Sequence, residues 1–278
     1  MSVVVVTDSS ACLPDDLRRK WAIRVIPLHV LLDDADLRDG VDDVPEDLLL
    51  RGRATTAAPA PAEISEVYRQ ALADSGGDGV VAVHLSAELS GTVGVAATTA
   101  ADIGAGVRIV DSRSTAMSTG FVALAAAGAA AAGADLDAVA AAAGAAVLRN
   151  HGFIVPNRLD NLRRSGRIGG AAAWLGTRLS LKPLLCIDDG EVVLAQRIRT
   201  ASRALAAMVD RVCELVSDRP AAIAVQHADN PDAAAGVAAA LAGRLPACGP
   251  AIVTGLGPVL ALHVGAGAVA VCVEVGDD

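Results

Sequence analysis

Short apolar runs alternate with stretches of helical period along almost the whole chain. Val3–Thr7, Ile23–Leu32, Gly79–Leu85, Val107–Ser112 and Gly152–Pro156 predict strands. So do Leu181–Asp188, Glu191–Ile198, Ala221–Ala228, Ala251–Gly257 and Ala268–Val275. Between them, Pro61–Gly76, Asp135–Asn150 and Pro231–Leu245 carry their apolar residues at helical spacing. This alternation predicts an α/β chain with a largely parallel sheet. One exception is "LLCIDDGEVVL", where Asp189-Gly190 between two apolar runs signals a hairpin. The second half should therefore hold an antiparallel pair and a mixed sheet.

No linker rich in Gly, Ser or Pro divides the chain. The boundary is placed near Pro156, after the fifth strand-like run, which gives an N-terminal α/β lobe over 1–156 and a C-terminal α/β lobe over 157–278. The expected architecture is two lobes in close contact, with a ligand at their junction, a favoured place for a binding site.

Composition narrows the function. The 278 residues are 53% hydrophobic, much of it alanine, with two Phe, two Trp and one Tyr. Mean hydropathy is +0.47, so core material is plentiful. A net charge of −9 and few aromatic rings argue against nucleic acid, which needs a basic face and stacking platforms. The acidic balance also disfavours an anionic membrane surface. Thr115–Ala134 is a long uncharged stretch, but its Ala and Gly content predicts a helix of a soluble domain, and no stable membrane insertion is expected. Five cysteines without C-x-x-C spacing read as reduced thiols, and the N-terminus as a strand without a signal peptide, so a cytoplasmic location is expected.

The candidate chemistry gathers where strands end. "VVVVTDSS", "VAVHLSAELSGT" and "VRIVDSRSTAMS" each leave a strand into a hydroxyl-bearing loop. In a parallel sheet these exits share one edge, the edge where ligands bind. Ser9, Ser10, Ser86, Ser90, Thr92 and Ser112 should line it, with Thr55 and Thr56 of "RATTAAPAP" added just before a helix. Any one such loop is ordinarily an N-cap. Several on one edge make an anion cradle, because helix N-termini offer free N–H groups and the positive end of the dipole. Ser90-Gly91-Thr92 is its centre, Gly91 letting an anion approach the backbone.

The second half offers a cation. "NRLDNLRRSGRIGG" predicts a helix over 159–164, ended by Ser-Gly and followed by Arg167 in a glycine-flanked turn. Arginine suits bidentate binding of a carboxylate or phosphate. His263, in "GLGPVLALHVGAGAVAV", is a second candidate. No P-loop, complete dinucleotide fingerprint, nucleophile elbow or metal-ligand spacing is present, so no cofactor is expected. An anion site without an evident nucleophile or base is the profile of a binder rather than an enzyme. The rival reading is a small hydrolase or transferase using Ser90 with His263.

Eight fragments resemble the DegV family in family order: "VTDSSACLP", "VIPLHV", "LSAELSGT", "VDSRSTAMSTG", "LDNLRRSGRIGG", "LSLKPLL", "DGEV…QRIRT" and "GPVLALHVGAGAV". The resemblance implies a two-lobed bacterial protein that holds one long-chain fatty acid in a tunnel between the lobes. It implies a partner too, a dihydroxyacetone-kinase-like fatty acid kinase that makes the acyl phosphate for phospholipid synthesis. Carried over by motif, the carboxylate falls to Thr56, Ser90, Arg167 and His263; the reading of the turn itself adds the backbone at Gly91 and Thr92, and the basic cluster Arg197, Arg199 and Arg203 is a candidate dock for the kinase. Two positions depart from the family pattern. Thr56 is followed by Ala57-Ala58-Pro59-Ala60-Pro61, which lacks two hydroxyls and an amide usual there, and Gly265-Ala266-Gly267 stands where G-P-G is common.

Overall fold

The computed structural model describes residues 2–45, 47–51, 54–168 and 182–276. The chain divides into two compact units, Met1–Val44 with Arg53–Leu148, and Pro45–Gly52 with Arg149–Asp278.

The first unit is built on four parallel strands: β1 (Val4–Asp8), β2 (Arg24–Ile26), β6 (Val80–His84) and β7 (Val107–Asp111), in the order β2-β1-β6-β7. Side chains alternate across a strand, so neighbours in sequence feed opposite faces. Val5, Val81 and Val83 pack beneath α5 (Met117–Ala131) and α6 (Leu136–Arg149), with Val122, Ala126, Val139 and Ala143. Val6, Val80 and Ala82 meet the opposite layer, α3 (Pro61–Ser75) and α4 (Thr92–Ile103), through Ile64, Tyr68, Ala71 and Ala96. Alanine explains the close fit: small side chains let whole helices settle onto the sheet.

The run Ile23–Leu32 is not one strand. Pro27 has no N–H to donate to a ladder, and the run breaks there. β2 ends at Ile26, and β3 (His29–Leu32) begins a separate antiparallel sheet with β4 (Ala35–Arg38) and β5 (Thr55–Ala57), in the order β4-β3-β5.

The second unit holds a mixed six-stranded sheet, β10-β9-β8-β13-β11-β12. Its strands are β8 (Asn150–Val155), β9 (Leu184–Asp188), β10 (Glu191–Gln196), β11 (Ala221–His227), β12 (Ile252–Gly255) and β13 (Val269–Val275). The β9–β10 pair is the expected hairpin, with Asp189 at φ 50 and Gly190 at φ 89, the left-handed pair that matches strand twist. Amphipathic α8 (Ala201–Val216) and α9 (Pro231–Arg244) cover a core of Phe153, Leu184, Met208, Val225, Leu241 and Val271.

The boundary differs from the one placed at Pro156. β8 pairs with β13 and β9, so the fifth strand-like run belongs to the second sheet, and the crossing follows Leu148. Hydrophobic pattern marks a strand but does not name its partners. The segment Pro45–Gly52 also groups with the second unit, where α2 (Leu48–Arg51) packs against α10 (Pro258–Val264).

Candidate functional site

Most of the hydroxyls predicted at the parallel-sheet edge serve the fold. Ser10, Ser86 and Ser112 are buried. Ser10 donates its hydroxyl to Asp8 at 2.5 Å, Ser112 shares a hydrogen bond with Thr119 at 2.8 Å, and the Ser86 hydroxyl accepts the Glu88 N–H at 3.2 Å. Ser9 donates to Asp39 at 2.9 Å and accepts the Leu28 N–H at 3.0 Å. These contacts stitch loops together, as buried polar groups require.

Ser90, like Ser9, is only half-buried. Its hydroxyl lies 2.9 Å from the Thr92 hydroxyl and accepts the Thr92 N–H at 3.3 Å, at the start of α4. Thr92 is fully buried, so its side chain orients Ser90 from below. Gly91 is the residue that precedes α4, with φ −68, a backbone any residue adopts. Nothing among the described residues lies within 4 Å of where its Cβ would be. Neither conformation nor packing demands glycine here, and the bare backbone leaves the helix N-terminus open to an anion.

Thr56 sits in β5 rather than in a loop, opposite Val30 of β3. Partners in an antiparallel pair share a face, and Val30 is fully buried, so Thr56 takes the inward face and Thr55 the other. Just beyond, α3 begins without a side-chain cap at Ala60, and Glu63 accepts the Ala60 N–H at 2.8 Å instead.

In the second unit, α7 (Asp160–Ser165) occupies the predicted helix and ends at Gly166 with φ 69, which turns the chain to present Arg167. Arg167 donates to the Ser165 carbonyl at 2.5 Å, and Ile168 then bridges to Val192 of β10. Gly169 and Gly170, which completed the predicted glycine flank, lie outside the described residues, as do Arg53 and part of "LSLKPLL".

His263 is half-buried in the last turn of α10, which packs against α7. Burial first, and the positive charge of Arg167 second, lower its pKa from 6.5 to about 4. The two residues are thus electrostatic neighbours: a neutral imidazole beside a guanidinium. After α10, Gly265 (φ +81) and Gly267 (φ +87) hold left-handed backbone, and a Cβ would meet Asn161 at 3.2 Å and Asn157 at 2.9 Å. The left-handed backbone favours glycine at both positions, and at Gly267 close contact with Asn157, whose Cβ stands 3.0 Å away, adds to it. Exposed Ala266 lies between them.

Arg197, Arg199 and Arg203 are all exposed around buried Ile198, the last of them in the first turn of α8. A cation at a helix N-terminus opposes the dipole, so Arg203 is not placed there for helix stability.

Several polar residues at these places had no motif to reveal them. Asn157 binds Lys182, and Asn161 accepts from Arg164 at 2.8 Å. Buried Asp8, His84 and Tyr68 form a chain beneath the Ser90 loop, His84 lying 3.0 Å from Asp8 and 2.7 Å from the Tyr68 hydroxyl. Burial, then the charge of Asp8, pushes the Tyr68 phenol up, so it remains a donor. The only sequence signal for this chain was a polar residue at the end of each of two apolar strands.

Among the described residues no cluster of His, Cys, Asp and Glu could hold a metal ion, and no helix is long and apolar enough to cross a membrane. Among the described residues the Ser90 hydroxyl meets the Thr92 hydroxyl. Fold and residues define an α/β protein with oriented neutral donors at a helix N-terminus in one unit and an arginine–histidine pair in the other. The chain belongs to the DegV family: the sequence profile "Uncharacterised protein, DegV family" matches residues 2–275. It is similar to a DegV domain-containing protein of Mycobacterium tuberculosis, 66% identical over 276 residues, covering 99% of this chain and 98% of the relative. Among solved structures, one titled as fatty acid binding of a DegV family protein from Thermus thermophilus has a TM-score of 0.92 and 32% identity, covering 99% of this chain and 100% of that one. The DegV fatty acid binding protein of Bacillus subtilis has a TM-score of 0.89 and 27% identity, covering 99% of this chain and 100% of that one.

Proposed function

We propose that this protein binds one long-chain fatty acid in an apolar tunnel and presents its carboxylate to a separate ATP-dependent, dihydroxyacetone-kinase-like fatty acid kinase, performing no bond chemistry itself. Carboxylate recognition is assigned to Thr56, Ser90, Gly91 and Thr92 and to Arg167 and His263. Solved relatives described as fatty acid binding support the ligand class.

The observation that carries the reading is the Ser90 turn. Its hydroxyl is oriented by Thr92, half-buried, at a helix N-terminus bared by a glycine the fold does not need. A fatty acid gains roughly 0.8 kcal/mol per buried methylene, but its carboxylate cannot be buried without donors. Neutral donors and one guanidinium meet that need. Phosphoryl transfer depends on positioning, so a carrier that fixes the acceptor oxygen is useful to a kinase. The exposed Arg197, Arg199 and Arg203 suit an acidic docking face on that partner.

The test begins with gentle purification, organic extraction and mass spectrometry of any released lipid. A near-stoichiometric fatty acid is expected. Ser90→Ala should then weaken palmitate binding about 5- to 10-fold, the loss of one hydrogen bond to a charged group, with folding intact. Loaded protein mixed with such a kinase and ATP should yield acyl phosphate. An empty extract together with no palmitate uptake would overturn the assignment.

A further inference from the structure

We infer that Asp8 is a positioning residue for the ligand's carboxylate, acting through the turn that carries Ser90; the inference rests on the fatty acid reading above. Asp8 ends β1 and is fully buried. Its carboxylate accepts four hydrogen bonds and divides them evenly. One oxygen takes the Ser10 N–H at 3.1 Å and the Ser10 hydroxyl at 2.5 Å. The other takes the Leu85 N–H and His84 Nδ1, each at 3.0 Å. One carboxylate therefore joins the exits of β1 and β6, which lie 77 residues apart in sequence at the Leu85 contact.

From Leu85 the path to the ligand turn is short and hydrogen-bonded at each step. Ser86 donates its N–H to the Ser114 carbonyl at 2.7 Å, and its own carbonyl accepts the N–H groups of Leu89 at 3.0 Å and Ser90 at 3.1 Å. The His84 ring is held from its other side by Tyr68 on α3, and the His84 carbonyl accepts the Ser112 N–H at 2.9 Å. With Nδ1 donating to Asp8, Nε2 is free to accept the Tyr68 hydroxyl, so one tautomer completes the chain. An apolar residue would end β1 more simply, because a buried carboxylate is costly unless every lone pair is used. What the carboxylate adds is a direction for the β6 exit, and with it the position of Ser90.

Asp8→Asn tests this, since it replaces one acceptor oxygen with an amide that must face donors. Palmitate affinity should fall about tenfold, and exchange of the Leu89 and Ser90 amides should quicken. Two controls separate positioning from plain stability. A core variant far from the turn, Val139→Ala in α6, lowers the unfolding midpoint but should leave palmitate affinity unchanged. In a Ser90→Ala background, Asp8→Asn should cost little further affinity, because effects transmitted through one group are not additive. Tyr68→Phe, which removes only the hydroxyl behind His84, is the milder variant should Asp8→Asn fold poorly, and should act in the same direction by about threefold. Unchanged affinity in these variants, or an equal loss with and without Ser90, would overturn the inference. If wild-type protein takes up no palmitate, that measurement alone rejects the fatty acid reading, and amide exchange still decides whether Asp8 sets the turn.

Discussion

The two units surround their candidate anion-binding residues with opposite charges. In the first, the donors are neutral and the nearby charges are buried acids: Asp8 under four hydrogen bonds and Asp39 under Ser9. In the second, the charge is a cation, Arg167, and its neighbour His263 is held neutral. On the proposed fatty acid reading the contrast would be a division of labour, with neutral, hydrogen-bonded turns setting direction and the Arg167 guanidinium supplying attraction. A second full charge beside the first would add desolvation cost and repulsion.

Removing the cation should have the largest effect. Arg167→Ala is expected to weaken palmitate binding about 10- to 100-fold, the range for a charge-assisted hydrogen bond, against the smaller loss for Ser90→Ala. Arg167→Lys should recover part of it, keeping the charge but not the planar fork. Titration calorimetry on the variants separates these cases. Equal losses for Arg167→Ala and Ser90→Ala would break the division of labour.

Next in size is a pH effect with opposite signs in the two units. His263 has its pKa lowered from 6.5 to about 4, by burial first and Arg167 second. On acidification through that window the unfolded chain binds a proton that the folded one refuses, so stability is lost as pH falls. Asp39 is raised from 3.8 to about 6, by burial first, with Asp8 adding and the Ser9 hydroxyl opposing. Below about pH 6 its folded form binds the proton before the unfolded form does, so stability is gained as pH falls towards 3.8. Urea unfolding at a series of pH values should show His263→Asn growing more stable relative to wild type as pH falls. Asp39→Asn should show its best relative stability at neutral pH and lose that advantage on acidification. Parallel slopes for the two variants would contradict the assigned environments.

The smallest effect is the sharpest probe of the Ser90 turn. Gly91→Ala adds a methyl where the backbone is relaxed and nothing crowds it, so unfolding stability should change by no more than about 0.5 kcal/mol. Palmitate affinity should nevertheless fall severalfold, because the methyl stands where an anion would approach. Unchanged affinity would mean that the ligand does not come near this backbone.

Much of the fold was legible in the order of residues. Alternating apolar runs and helical stretches marked most elements, and Asp189-Gly190 marked the hairpin, because side-chain period and turn stereochemistry are local properties. Ser90, Gly91 and Arg167 stood out for the same reason: a hydroxyl, a bare backbone and a guanidinium carry their chemistry wherever they lie. Pairing is not local. That β8 joins the second sheet, and that Pro27 separates two sheets, depends on which strands find each other across long stretches of chain. The sorting of the edge hydroxyls into buried Ser10, Ser86 and Ser112 and half-buried Ser9 and Ser90 likewise needed tertiary structure. So did the environments of Asp8, Asp39 and His263. A residue's type states which bonds it can make, and only burial and neighbours, supplied by distant parts of the chain, decide which of them it makes.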